Sequence, residues 1–154
     1  MSAEPGRGPD APARLLAQLN VAEALYEFDD PRLSDFLKAV ALVNGAADRS
    51  PGFVWRLPDP SGRMNAGPEP RTIVNLSVWR TLADLRSYLE RSVHRVVRAR
   101  RAAWFAPPAA PHAVMWWIAP EHRPSLEEGL ARLARLRREG AGPDAFDFAY
   151  ALRR

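Results

Sequence analysis

Asn75, Ser77 and Trp79 stand two residues apart in Ile73-Val-Asn-Leu-Ser-Val-Trp79. In an extended chain all three project to one face, with Val74, Leu76 and Val78 on the other. Around them in sequence lie Trp55 beside Arg56, the segment from Ser92-Val-His94 through Arg101 to Trp104-Phe105, and Trp116-Trp117. Large aromatics with a few hydrogen-bonding groups are how a small-molecule pocket is lined, whereas a plain core favours Leu, Ile and Val. His94 has the imidazole chemistry of a base, an acid or a metal ligand. Arg101 has the planar fork that holds an anion. The competing reading is structural: Asn75 satisfies nearby backbone, Trp55, Trp79, Trp104 and Trp117 are packing, and His94 sits at a helix boundary beside Glu90.

Other chemistries lack their residues. The chain has no Cys, hence no thiolate nucleophile, disulfide or Cys-ligated metal. No His and carboxylate pair has metal-ligand spacing; Glu121 and His122 are adjacent and point apart, so no metal site is expected. His112, at a strand start, and His122, in a turn, read as ordinary. Ser77 has no nucleophile-elbow context, and no loop carries phosphate-cradling glycines.

Of the 22 basic residues only Lys38 is not Arg, and the net charge is +4. The Arg runs at 91, 95, 98 and at 132, 135, 138 are interspersed with or followed by acids, as on a solvated helix face, so no nucleic acid partner is expected. No apolar run is long enough to span a membrane. The first residues lack an apolar signal core, which with the absence of Cys favours the cytoplasm.

The elements that must position these residues follow from pattern. Residues 1–13 are Pro, Gly, Ala and charge, and read as a disordered tail; residues 14–154 form one domain. Leu15 to Ala22 alternates as a strand. Asp29-Asp30-Pro31 opens a helix through Leu33, Phe36, Leu37, Val40 and Val43, with Asn44-Gly45 as its stop. Phe53 to Leu57 is a short strand, 58–70 a Pro-rich loop and 71–79 the clearest strand. Thr81 caps a helix carrying Leu82, Leu85 and Leu89, which Val93 and Val96 could continue. Strand 112–119 follows, then an amphipathic helix from Pro124-Ser125 to Gly140, and a short strand at 146–150. The order β-α-β-β-α-β-α-(β) is that of a ferredoxin-like split βαβ, an α+β fold with an antiparallel sheet. Helices on one sheet face would leave the other open, and homodimerisation through that face would bury it.

The segments Pro51-Gly-Phe-Val-Trp-Arg56, Ile73 to Trp79, Arg91-Ser-Val-His94, Trp104-Phe105, Trp116-Trp117, His122-Arg-Pro124 and Ala145-Phe146 resemble the bacterial DUF3291 proteins, a family of unknown function. That family resembles a branch of the dimeric α/β-barrel superfamily. The superfamily also holds antibiotic biosynthesis monooxygenases, stress-responsive barrel proteins, polyketide cyclases and haem enzymes. The resemblance implies the fold. It also implies a role: Asn75 and Trp79 are similar to the Asn and Trp lining the cavity of cofactor-independent monooxygenases, where the amide holds a substrate oxyanion and the indole forms an apolar wall. The Pro-rich stretch at 64–70 departs from the more acidic loop expected there.

The reading is therefore a small-molecule tailoring enzyme without metal or dinucleotide, acting by oxygenation or cyclisation on an apolar, aromatic or polyketide-like substrate. His94, Asn75 and Arg101 would be catalytic, with Trp79, Ser77, Trp55, Trp104, Phe105 and Trp117 as pocket walls. The alternatives are a non-catalytic ligand-binding or stress-response dimer, and a haem protein with His94 as axial ligand.

Overall fold

The computed structural model describes residues 13–58, 65–67, 69–91 and 98–153, with backbone alone for 65 and 66. The expected tail, apart from Ala13, lies outside the described residues, as do His94, Val93 and Val96.

Strand β1 (Leu15–Glu23) is central, and helix α1 (Ser34–Asp48) leads from it to β2 (Phe53–Arg56). A two-residue strand β3 (Asn65–Ala66) precedes β4 (Thr72–Trp79), which is followed by α2 (Leu82–Leu89), a one-turn helix α3 (Arg101–Trp104) and β5 (Ala113–Ile118). Helices α4 (Leu126–Glu139) and α5 (Phe148–Leu152) close the chain. The main strands lie in the order β2-β4-β1-β5, all antiparallel, with β3 added to β4. That is the split βαβ order expected from the sequence.

Local chemistry sets most boundaries. Asp30 accepts from the Arg32 N–H at 2.8 Å and caps a 3-10 turn at Pro31–Leu33 that runs into α1. Thr81 Oγ accepts from the Asp84 N–H at 3.0 Å and starts α2. Ser125 accepts from the Glu128 N–H at 3.1 Å and starts α4, which ends at Gly140 with φ +78°. Gly52, at φ +81°, makes the turn into β2, and the Asp84 side chain occupies the space a Cβ there would need.

Three expectations fail. Helix α1 does not stop at Asn44-Gly45 but runs to Asp48. Ala46 and Ala47 follow, and Ala47 is buried against the Leu16–Trp79 core; that packing outweighs the ~1 kcal/mol cost of a helical Gly. The final strand shrinks to Phe146, which exchanges both backbone bonds with Met115 (2.8 and 2.9 Å). Asp147 then accepts from the Tyr150 N–H at 2.9 Å and turns the chain into α5.

The third concerns the sheet face expected to stay open. Leu15, Ala17, Leu19, Val74, Leu76, Val78, Val114, Trp116 and Ile118 are all buried within the single chain, in one cluster with Leu133 and Leu136 of α4. The apolar stripe of α4 finds its partner there, and Gly129 lets the helix backbone come close to Leu19 and Trp116. The face expected to be open is thus covered within one chain. Helices α1 and α2 cover the opposite face, through Val43, Ala47, Leu82, Leu85 and Tyr88.

Candidate functional site

Antiparallel register builds the site on the face beneath α1 and α2. Leu16 stands opposite Trp79, Gln18 opposite Ser77 and Asn20 opposite Asn75; β5 continues these rows with Trp117, Met115 and Ala113. Along the strands the face therefore grades from aromatic to polar.

The aromatic end is filled. Trp79 is 1% exposed, stacks on Tyr88 with ring centroids 5.1 Å apart and takes the edge of Phe53 at 5.5 Å. Its indole N–H, which can only donate, gives a 2.9 Å bond to Ser77 Oγ. Ser77 Oγ also accepts from Gln18 Nε2 at 2.6 Å, and the same amide nitrogen donates to Asn75 Oδ1 at 2.7 Å. Both hydrogens of Gln18 Nε2 are thus used. Gln18 Oε1 and Asn75 Nδ2 have no protein partner among the described residues.

Beyond this row the sheet and helices part around a cavity of about 860 Å³. Gln18, Asn20 and Asn75 form its floor, Phe36 and Val40 of α1 and Leu85 and Tyr88 of α2 its walls, and Arg98, Arg101, Phe105 and His112 one end. A volume of this size suits a drug-sized molecule. Burial pushes the Tyr88 hydroxyl up to about 12, so it stays protonated, and it donates to the Val43 carbonyl at 3.2 Å. Burial first, then the charges of Arg101 and Arg137, push the His112 pKa down, so this imidazole is neutral near pH 7. Burial also pushes the Arg101 pKa down, and its guanidinium lies 5.4 Å from the Phe105 ring centroid. Arg56 reaches the wall as well, paired with Asp48 at 3.2 Å, while its Nη1 is buried without a partner among the described residues.

Of the residues singled out in the sequence, Asn75, Arg101 and Phe105 line the cavity. Ser77 and Trp79 do not; they are consumed in the hydrogen-bonded row behind it. Trp55 is on the opposite face, in register with Val78 and packed on the Leu76–Trp116 cluster. Trp104 is buried against Phe36 at 5.4 Å, and Trp117 packs on Phe146 at 6.2 Å with the Arg14 guanidinium over its ring. None of these three is in the lining. His94 lies outside the described residues. His122 pairs with Glu128 at 2.9 Å, away from the cavity.

Gln18 and His112 were missed as site residues. Gln18 carried a signal: it is the one amide flanked by Leu15, Leu16, Ala17 and Leu19 in an otherwise apolar half-strand, and a buried amide needs partners. Among the described residues no group of three His, Cys, Asp or Glu could hold a metal ion, and no helix is long and apolar enough to cross a membrane.

A model of the family described as "Domain of unknown function (DUF3291)" matches residues 15–154. No curated protein matches the chain. Among solved structures, a conserved protein from Methanosarcina mazei is similar at TM-score 0.53 and 7% identity, covering 68% of this chain and 92% of its own. Protein SO0527 from Shewanella oneidensis is similar at TM-score 0.52 and 11% identity, covering 70% and 95%. SnoaB, a cofactor-independent oxygenase from Streptomyces nogalater, stands at TM-score 0.46 and 17% identity, covering 75% and 100%. Likeness at these identities is a likeness of fold.

Proposed function

The chain belongs to the DUF3291 family, and on that premise we propose that it is a small-molecule tailoring enzyme that works on an apolar, aromatic or polyketide-like substrate without a metal or dinucleotide. One observation carries the reading: Gln18 holds Asn75 Oδ1 at 2.7 Å on the wall of a cavity of about 860 Å³, leaving Asn75 Nδ2 to donate to a ligand. A fixed amide donor in a mostly apolar cavity stabilises an enolate or phenolate oxygen more than the neutral ground state, since a preorganised dipole acts strongly where water is excluded. The nucleophilic carbon of the deprotonated substrate would then add to dioxygen, giving a hydroperoxide that loses water to leave a new carbonyl, or add to a carbonyl of the same molecule, closing a ring whose alkoxide takes back the proton. His94, expected from sequence, and His112, neutral on the cavity wall, are the candidates to take the proton.

The test is oxygen uptake and product analysis with a panel of phenols and enolisable polycyclic ketones. Turnover by the wild type and its loss in Asn75→Ala support the reading. Binding without turnover across the panel would leave a ligand-binding protein, and equal rates for Asn75→Ala would remove Asn75 from the chemistry.

A further inference from the structure

We infer that the Arg101–His112 end of the cavity binds the anionic group of an otherwise apolar ligand, a carboxylate or an equivalent monoanion. This rests on the reading of the cavity as a ligand site and adds the ligand's charge class.

Several described arginines have a carboxylate as counter-charge. Arg56 pairs with Asp48 at 3.2 Å, Arg100 with Asp35 at 3.2 Å and Arg135 with Glu139 at 2.9 Å. Arg101 is half-buried, yet no carboxylate pairs with it among the described residues. Its neighbour Arg100 takes Asp35, outside the cavity. The one described acid on the cavity wall is Asp147, whose carboxylate is already the cap of α5. Arg98 and His112 also line the cavity, and the charge of Arg101 is felt at His112.

A cation taken partly out of water without a counter-charge is costly, and a bound anion relieves that cost. Burial depresses the Arg101 pKa with no opposing carboxylate, which is the same imbalance seen from the proton's side. A guanidinium meets a carboxylate with two parallel hydrogen bonds, so the site also orients its ligand. Much of the remaining wall is apolar, through Phe36, Val40, Leu85 and Met115, with Gln18, Asn20, Asn44, Asn75 and the Asp48-paired Arg56 among its polar members. The ligand this fits is an amphipathic acid: head at Arg101, apolar body along Phe36 and Phe105, and an oxygen within reach of Asn75.

The experiment compares two fluorescent probes with the same ring skeleton, anilinonaphthalene sulfonate and the neutral phenylnaphthylamine, by titration into the purified protein. The charged probe should bind about tenfold tighter, the scale of a charge-assisted hydrogen-bonded pair. Arg101→Met should abolish that preference, and an unchanged circular dichroism spectrum reports that the variant is folded. Arg101→Lys, which keeps the charge, should retain part of it. Equal affinities in the wild type, or a preference that survives Arg101→Met, would overturn the inference while leaving the cavity a binding site. Failure of both probes to bind would instead remove the ligand site on which it rests. Since binding is read and not turnover, a catalytically inert protein would leave the inference standing.

Discussion

Gln18 and Asn75, 57 residues apart in sequence, meet through a 2.7 Å hydrogen bond, Nε2 to Oδ1, across the β1–β4 pair. Gln18 is 8% exposed, so this bond fixes which end of the Asn75 amide points away from β1. Ser77 and the Trp79 indole anchor Gln18 in turn. The row is one connected network, in which the Trp79 indole and the Gln18 amide both donate to Ser77 Oγ.

Gln18→Met keeps the volume and removes both donated bonds. Asn75 Oδ1 is then left without its partner, and the fold should lose about 1–3 kcal/mol, the cost of unpaired buried polar groups. Denaturant unfolding measures this. Turnover should fall with it, because Asn75 can then rotate. A variant as stable and active as the wild type would mean the row orients nothing.

Asn75→Ala takes the acceptor from one N–H of the buried Gln18 amide and should cost about 1–3 kcal/mol of stability. Its larger effect belongs on the reaction: a loss of roughly 2–4 kcal/mol in transition-state stabilisation, as for removal of an oxyanion donor. Steady-state kinetics on any substrate found in the panel would show a fall in kcat with KM little moved.

Gly129→Ala sets two effects against each other. Ala raises helix propensity by about 1 kcal/mol over Gly. The new Cβ, however, would sit 2.5 Å from Leu19 Cδ1 and 3.4 Å from the Trp116 ring, and both side chains are fully buried. Overpacking of this kind costs about 1–3 kcal/mol, so the net change should be destabilising. A raised melting temperature would show that α4 rides more loosely on the sheet than its contacts imply.

His112 should make the fold acid-sensitive. Burial, Arg101 and Arg137 hold its pKa below the ordinary 6.5. The unfolded chain takes up the proton near 6.5 while the folded chain resists it, so the unfolded state binds more protons in that window. The stability is fully present above pH 6.5 and is lost as pH falls from there through the depressed folded value. Unfolding free energy followed between pH 7.5 and pH 5 should decline in the wild type and decline less in His112→Gln, with the ~6.5 upper edge set by the free imidazole. A bound carboxylate at Arg101 should raise the His112 pKa, which NMR titration of the imidazole would detect.

The sequence by itself determined the main strands and helices and their order, though not β3 within the 58–70 stretch nor α5 in place of a last strand. Thr81, Ser125 and Asp30 are capping residues that act within three positions of themselves, and each starts its helix as expected. Alternation in 73–79 placed Asn75, Ser77 and Trp79 on one face, because side chains in a strand have a period of two whatever surrounds them. What the sequence did not carry was which groups stand across the strand pair. Gln18 meets Asn75 and Ser77 only because β1 and β4 run antiparallel in that one register. The same register turned Trp79 and Ser77 from expected pocket walls into the support behind Asn75, and put Trp55 on the far face. Nor could the apolar stripe of α4 announce its target. An amphipathic helix states that it must cover something, and only packing decided that it was the Leu19–Trp116 face, a surface the strand pattern alone left open. Arg101 and His112 come together on the cavity wall for the same reason: their segments are neighbours through the fold of the sheet, and the unbalanced charge of Arg101 exists only in three dimensions.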